Sequence, residues 1–130
     1  MNAKVSKNLS ETGVLAYRTV IMPADLNAGG TLFGGNMLCY YDLAGAVLAV
    51  EEARKPVVLA ALNDSRFFLP VNKGDVVTVY AEVEKVGKTS LTIYMQAFKK
   101  ERLIGKETMC GDARATYVCI NEKHKPVPVR

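Results

Sequence analysis

Met37-Leu38-Cys39-Tyr40-Tyr41-Asp42-Leu43-Ala44-Gly45-Ala46-Val47-Leu48-Ala49-Val50 is the stretch on which the fold turns. It is apolar almost throughout and shows no period-two alternation, so it reads as helix rather than strand. Glu51, Glu52, Ala53 and Arg54 then form a polar helical end, and Pro56 stops it. The reading is one helix of about five turns beginning near Asn36, apolar nearly all round in its first half. A helix of that kind is normally wrapped by the rest of its domain. It is too short an apolar run to cross a bilayer, and it contains Asp42.

On either side the chain is strand-like. Residues 14–22 (VLAYRTVIM) are β-branched and apolar and are ended by Pro23, after which residues 24–30 have loop chemistry. Beyond Pro56, residues 57–68 make one long strand with Asn63-Asp64 as an irregularity, and residues 70–75 (PVNKGD) a turn. Residues 76–86 alternate, with Val77, Val79, Ala81 and Val83 on one face and Thr78, Tyr80, Glu82 and Glu84 on the other. Gly87-Lys88-Thr89 makes a tight reversal. Residues 90–99 alternate again, with Leu91, Ile93, Met95 and Ala97 on one side. Residues 100–106 form a charged turn, residues 107–120 a last strand, and the tail from Asn121 is polar. Strand, long helix and four strands joined by short turns, the later ones as a meander, predict an α+β two-layer domain.

The 130 residues suffice for one compact domain. Residues 1–12 read as a flexible N-terminal arm and 13–130 as the single domain. Three cysteines without CxxC spacing argue against a disulfide framework or a zinc site and fit a reducing compartment. The first eleven residues have no apolar core, so no signal peptide is expected and the protein reads as cytoplasmic. Net charge is +4, with the 17 basic residues spread along the chain and no tryptophan, which argues against nucleic acid. The mild basic excess suits a small phosphorylated ligand or an ordinary solvated surface.

Elimination narrows the chemistry. The one histidine, His124, lies in a charged tail, so Ser-His-Asp and Cys-His sites are disfavoured. No clustered metal ligands and no glycine-rich phosphate motif occur, so no metal is expected. A carboxylate remains as the base, and Asp42 stands out, because burying a charge among apolar neighbours costs several kcal/mol unless it is paired. Gly45 and Ala46, one turn on, leave room beside it. The residue types leave two readings open: a functional carboxylate, or an aspartate that bonds a neighbouring strand or faces solvent at a dimer edge. Gly29, Gly30, Gly34 and Gly35 bracket Thr31-Leu32-Phe33 just before the helix. Backbone N–H groups at Gly34 and Gly35 could polarise a carbonyl there, or the glycines could simply form a tight turn.

The segment Pro23-Ala24-Asp25-Leu26-Asn27-Ala28-Gly29-Gly30-Thr31-Leu32-Phe33-Gly34-Gly35, followed seven positions later by Asp42 in Asp42-Leu43-Ala44-Gly45-Ala46, resembles the hot-dog-fold acyl-CoA thioesterases of the cytosolic acyl-CoA hydrolase branch. The resemblance extends through Phe67-Phe68-Leu69-Pro70-Val71, Gly74-Asp75, Val86-Gly87-Lys88-Thr89-Ser90 and Tyr117-Val118, and covers roughly residues 14–128. Two stretches depart from the pattern: Asn63-Asp64 is unusual, and residues 110–114 (CGDAR) are more polar than the family's apolar last strand.

The resemblance implies a long central helix wrapped by a curved antiparallel β-sheet, and hydrolysis of acyl-CoA to a free carboxylic acid and CoA. It implies homodimers, grouped as a trimer of dimers into a hexamer, with sites at the dimer interface. Asp42 would be general base, or alternatively a nucleophile giving an anhydride, and Asn27 would come from the partner subunit. Gly34 and Gly35 would supply the oxyanion N–H groups. Gly87, Lys88, Thr89 and Ser90 would hold CoA, with Lys88 as a point charge toward phosphate. No cofactor is expected, CoA being part of substrate and product, and neither nucleic acid nor membrane is an expected partner. Two other functions carried by this fold remain beside it: a non-catalytic acyl-CoA-binding sensor and a hydratase.

Overall fold

The computed structural model describes residues 7–103 and 105–130, and residues 1–6 of the expected arm lie outside the described residues. The elements are α1 (Leu9–Thr12), β1 (Val14–Val20), a 3-10 turn (Pro23–Asp25), α2 (Gly34–Ala53), β2 (Val57–Phe67), β3 (Val76–Val86), β4 (Ser90–Lys100) and β5 (Thr108–Cys119). The five strands form one antiparallel sheet in the order β1-β3-β4-β5-β2. The chain leaves one edge of the sheet as β1, crosses its face as the 20-residue α2, and re-enters at the opposite edge as β2. A long helix wrapped by an antiparallel sheet is the arrangement expected from the sequence.

Helix and sheet fit because both contacting surfaces are small. Ala44, Gly45 and Ala49 face a floor that includes Ala81, Ala97, Ala113 and Ala115, all buried, with Val77, Val79, Leu91, Ile93 and Met95 around it. The alternation in β3 and β4 thus points its apolar set at the helix, as expected. Register shifts occur in every strand pair, between Leu15 and Tyr17, Leu59 and Ala61, Asn63 and Arg66, Val83 and Lys85, and Ala97 and Phe98. Such irregularities bend and twist strands and so curve the sheet around α2. Asp64, at a φ of 53°, marks the one expected at Asn63-Asp64. Asn and Asp tolerate that left-handed conformation better than most residues.

Three features differ from the sequence reading. Only β3, β4 and β5 form a meander; β2 pairs with β5, so residues 68–75 are a crossover and not a hairpin turn. The backbone of that crossover is satisfied by other loops: the Leu32 N–H donates to the Val71 carbonyl at 2.8 Å, and the Ile21 N–H to that of Asp75 at 2.9 Å. Secondly, residues 7–12 are not a loose arm. They cover the outer face of the sheet, where Leu9 is fully buried against Tyr80, Tyr94 and Phe98. Gln96 bonds this segment through both ends of its amide, accepting from the Leu9 N–H at 2.7 Å and donating to the Lys7 carbonyl at 2.9 Å. Thirdly, the polar tail folds back. The Val129 N–H donates to the Lys88 carbonyl at 2.8 Å, and the Val129 side chain is buried.

The polar departure at residues 110–114 has its explanation on that outer face. Asp112 is buried and accepts two bonds from Arg66, at 2.8 and 2.6 Å, and one from the Tyr94 hydroxyl at 2.8 Å. A buried carboxylate is tolerated when its oxygens are satisfied in this way. The docked N-terminal segment yields a test: Leu9→Ala should lower stability by about 2–4 kcal/mol, as core leucine truncations do, whereas a flexible arm would cost close to nothing. Urea unfolding of the two proteins measures the difference.

Candidate functional site

Three stripes run along α2. Met37, Tyr41, Ala44, Gly45 and Leu48 are buried against the sheet; Cys39, Leu43, Val47 and Val50 are exposed; Leu38, Asp42 and Ala46 lie between them. Asp42 therefore sits at the margin between the packed face and an open apolar one. Its chain partner is Tyr117 of β5, whose hydroxyl lies 2.9 Å from the Asp42 carbonyl oxygen and 3.2 Å from Oδ1 and donates to both. Oδ2 has no hydrogen-bond partner among the described residues. Gly45 makes this approach feasible, since a Cβ on it would collide with the Tyr117 hydroxyl and come within 3.0 Å of the ring. Burial, and then the Asp42 charge, raise the Tyr117 phenol far above its ordinary pKa, so it stays a donor at neutral pH.

The second group of expected residues lies at the N-terminal end of α2. Asn27 is exposed and organises its own loop: Oδ1 accepts from the Gly29 and Thr31 N–H groups at 2.9 and 3.1 Å, and Nδ2 donates to Thr31 Oγ1 at 3.1 Å. One Nδ2 hydrogen is left over. The loop is held to the helix end by two bonds to the Asp25 carbonyl, from the Phe33 N–H at 2.9 Å and from Asn36 Nδ2 at 3.0 Å. Helix α2 begins at Gly34, and Phe33 offers no side-chain cap. The N–H groups of Gly34 and Gly35 thus head the helix without intrahelical acceptors, at its positive end. Beside them opens a pocket of about 370 Å³ whose walls include Gly34, Met37, Phe67, Phe68, Leu69 and Cys110. Unpaired donors at the mouth of an apolar pocket suit a polarised carbonyl with an apolar substituent. Cys110 in that wall is not a nucleophile, because burial pushes its thiol up to about 12.

These groups do not meet within one chain. Seven residues of helix separate Gly35 from Asp42, a rise of about 10 Å along the axis. No hydrogen bond joins Asn27 to Asp42 among the described residues. The reversal Gly87-Lys88-Thr89-Ser90, closed by a 2.7 Å bond from the Gly87 N–H to the Ser90 carbonyl, lies toward the other end of α2. There the tail that pairs with Lys88 also reaches Lys55 and, through Arg130, Glu52. Gly87 and Lys88 are exposed. His124 is exposed in a turn of the tail. Among the described residues no three His, Cys, Asp or Glu side chains cluster as metal ligands, and no helix is long and apolar enough to cross a membrane. The sequence did not single out Tyr117 as a partner of Asp42, because its apolar neighbours make it read as core. The small residue at Gly45 was the signal that something approaches the helix there.

Residues 29–106 match the Thioesterase superfamily. The chain is 38% identical over 120 residues to the acyl-CoA thioester hydrolase YciA of Salmonella typhimurium, covering 90% of each. Among solved structures it is similar to a hexameric broad-specificity acyl-coenzyme A thioesterase solved as an aspartate-to-alanine mutant. That match has a TM-score of 0.87 and 34% identity, over 92% of this chain and 88% of that one. It is also similar to a hexameric thioesterase from Yersinia pestis, with a TM-score of 0.84 and 37% identity over 90% and 95% of the two chains.

The Gly45–Tyr117 approach gives a stability test with opposed terms. Gly→Ala in a helix interior gains about 1 kcal/mol of propensity, but overpacking a buried contact costs about 1–3 kcal/mol. The clash with a ring fixed between two strands should win, so Gly45→Ala is expected to lower the midpoint of thermal unfolding.

Proposed function

The chain belongs to the thioesterase superfamily, and from that premise we propose that it hydrolyses acyl-CoA to a free carboxylic acid and CoA at a site built from two subunits. The observation that carries the two-subunit reading is the separation of about 10 Å along α2 between Asp42 and the Gly34–Gly35 end. A water held by one and a carbonyl held by the other could not react across that gap. A second copy laid on the exposed face of α2, where Leu43, Val47 and Val50 are 44–50% accessible, would close it. The similar solved thioesterases are hexameric, in keeping with dimers grouped as a trimer of dimers.

In this reading the thioester carbonyl accepts from the Gly34 and Gly35 N–H groups, which strengthen their hold as charge develops on oxygen. The acyl chain enters the apolar pocket beside them. Asp42 takes a proton from a water whose oxygen bonds to the carbonyl carbon. The tetrahedral intermediate collapses with loss of CoA as thiolate, and the acid is released. A thiolate leaves readily, so the site works without histidine. Asn27 of the partner subunit orients the water or the carbonyl with its remaining Nδ2 hydrogen. Gly87, Lys88, Thr89 and Ser90 hold CoA, with Lys88 toward phosphate. No cofactor takes part, and the reaction takes place in the cytoplasm, in accord with the free thiols of Cys39, Cys110 and Cys119.

Thiol release from a panel of acyl-CoAs tests the reaction. An acyl-CoA sensor would bind and release no thiol, and a hydratase would need a histidine that His124, exposed in the tail, does not supply. Asp42→Asn keeps the shape and removes the base, so kcat should fall about 10²–10⁴-fold in a folded variant. A loss under tenfold would remove Asp42 from the chemistry.

Subunit exchange tests the shared site. Because Asn27 Oδ1 also holds its loop, Asn27→Asp is the better partner variant, keeping the acceptor and removing the donor. Each variant alone should be nearly inactive. In a mixed dimer one site carries both lesions and the other neither, and random exchange makes about half the dimers mixed, so activity should return to roughly a quarter of wild type. Demonstrated exchange without recovery would confine the site to one subunit.

A further inference from the structure

We propose that Tyr117 is a positioning residue of the hydrolytic site: its hydroxyl ties Asp42 Oδ1 to the backbone of α2 and so leaves Oδ2 as the oxygen that takes the proton from water. The inference deepens the reading of Asp42 as the base and rests on it.

An aspartate in mid-helix has no built-in anchor. Its short side chain can turn among rotamers or bond back to the local backbone, which is why the residue is a poor helix former. A carboxylate that wanders is a poor base, since proton transfer needs a heavy-atom distance of about 2.6–3.2 Å held in place. Tyr117 supplies the anchor from outside the helix. It stands at 1% exposure in β5, which is paired on both sides, to Leu91 of β4 and Leu59 of β2. Its ring therefore has little freedom. The hydroxyl reaches the carbonyl and Oδ1 of the same residue at 2.9 and 3.2 Å, which fixes the carboxylate relative to the helix axis. Oδ2 is left without a hydrogen-bond partner among the described residues.

The other tyrosines near Asp42 in sequence do not serve. Tyr40 stacks on Tyr17 with ring centroids 5.2 Å apart. The Tyr41 hydroxyl is buried against the Gly111 backbone and bonds nothing among the described residues. Tyr117 itself is not an acid–base group: its pKa is raised, so the proton is held to higher pH than in a free phenol and the hydroxyl remains a fixed donor throughout the neutral range. Gly45 completes the device, since any side chain there would occupy the hydroxyl's path.

Tyr117→Phe removes one oxygen and leaves the ring. The expected result is a fall in kcat of about tenfold with KM changed less than twofold, because the anchor acts on the reacting carboxylate and not on bound CoA. In an Asp42→Asn background the same change should cost nothing further, as residues acting through one step are not additive. An unchanged kcat in folded Tyr117→Phe overturns the proposal, as does an equal loss in both backgrounds, which is what a merely structural tyrosine would give. Activity retained by Asp42→Asn would instead overturn the reading of the base, and the anchor with it. Should the phenylalanine variant not fold, 3-fluorotyrosine placed at position 117 keeps shape and strengthens the donor. A kcat identical to wild type would then count against the anchor, and a changed kcat at constant KM for it.

Discussion

Everything in this molecule depends on how closely α2 lies on its sheet. The helix is apolar on nearly all sides, so no arrangement that leaves it on the surface is stable. What sets the distance is the small size of the residues in contact, Ala44, Gly45 and Ala49 above and Ala81, Ala97, Ala113 and Ala115 below. Larger side chains on either surface would lift the helix, and the Tyr117 hydroxyl could no longer reach Asp42. The same closeness obliges the sheet to bend, which the register shifts in its strand pairs accomplish. Packing and the site are one constraint here.

A second constraint follows from the same helix. A single sheet covers only part of its circumference, and the remainder carries the exposed Leu43, Val47 and Val50, while β2 stands at the edge of the sheet. An apolar face beside an unpaired strand edge is unfavourable in water and prone to pair with another chain. The outer face of the sheet shows the contrast, since its aromatic residues are covered by the chain's own Leu9 and its polar groups are satisfied by Gln96, Tyr94, Asp112 and Arg66. The chain closes one face by itself and leaves the other, with Leu43, Val47 and Val50, exposed.

The helix and the inward sets of β3 and β4 were legible because their periodicity is local, set by neighbours in the chain. The pairing of β2 with β5 was not, since it joins residues far apart and the turn chemistry of residues 70–75 reads like a hairpin. The docking of residues 7–12 was hidden because one leucine in a polar stretch carries it, meeting three aromatics from two different strands. At the site, Asp42, Asn27, Gly34 and Gly35 could be picked out as polar or backbone-exposing residues against an apolar background. Their distribution between the middle and the end of α2 is what folding adds. Tyr117 entered only as one residue of the resemblance, its role beside Asp42 unread, since one hydroxyl on a tyrosine in an apolar strand is invisible in the pattern.

The position of Asp42 at the margin of the buried face has a chemical consequence. In a single chain Asp42 is only partly buried, so its carboxylate is reached by water as well as by the Tyr117 hydroxyl. A second subunit lying on Leu43 and Val47 would strip that water from one side while Tyr117 still satisfies the other oxygen. Desolvation of a charge is tolerable when part of it stays hydrogen-bonded, as the Tyr117 hydroxyl holds Oδ1 here. A carboxylate can be carried on so apolar a helix without a cation beside it because in the single chain it is only partly buried and one of its oxygens is hydrogen-bonded by Tyr117.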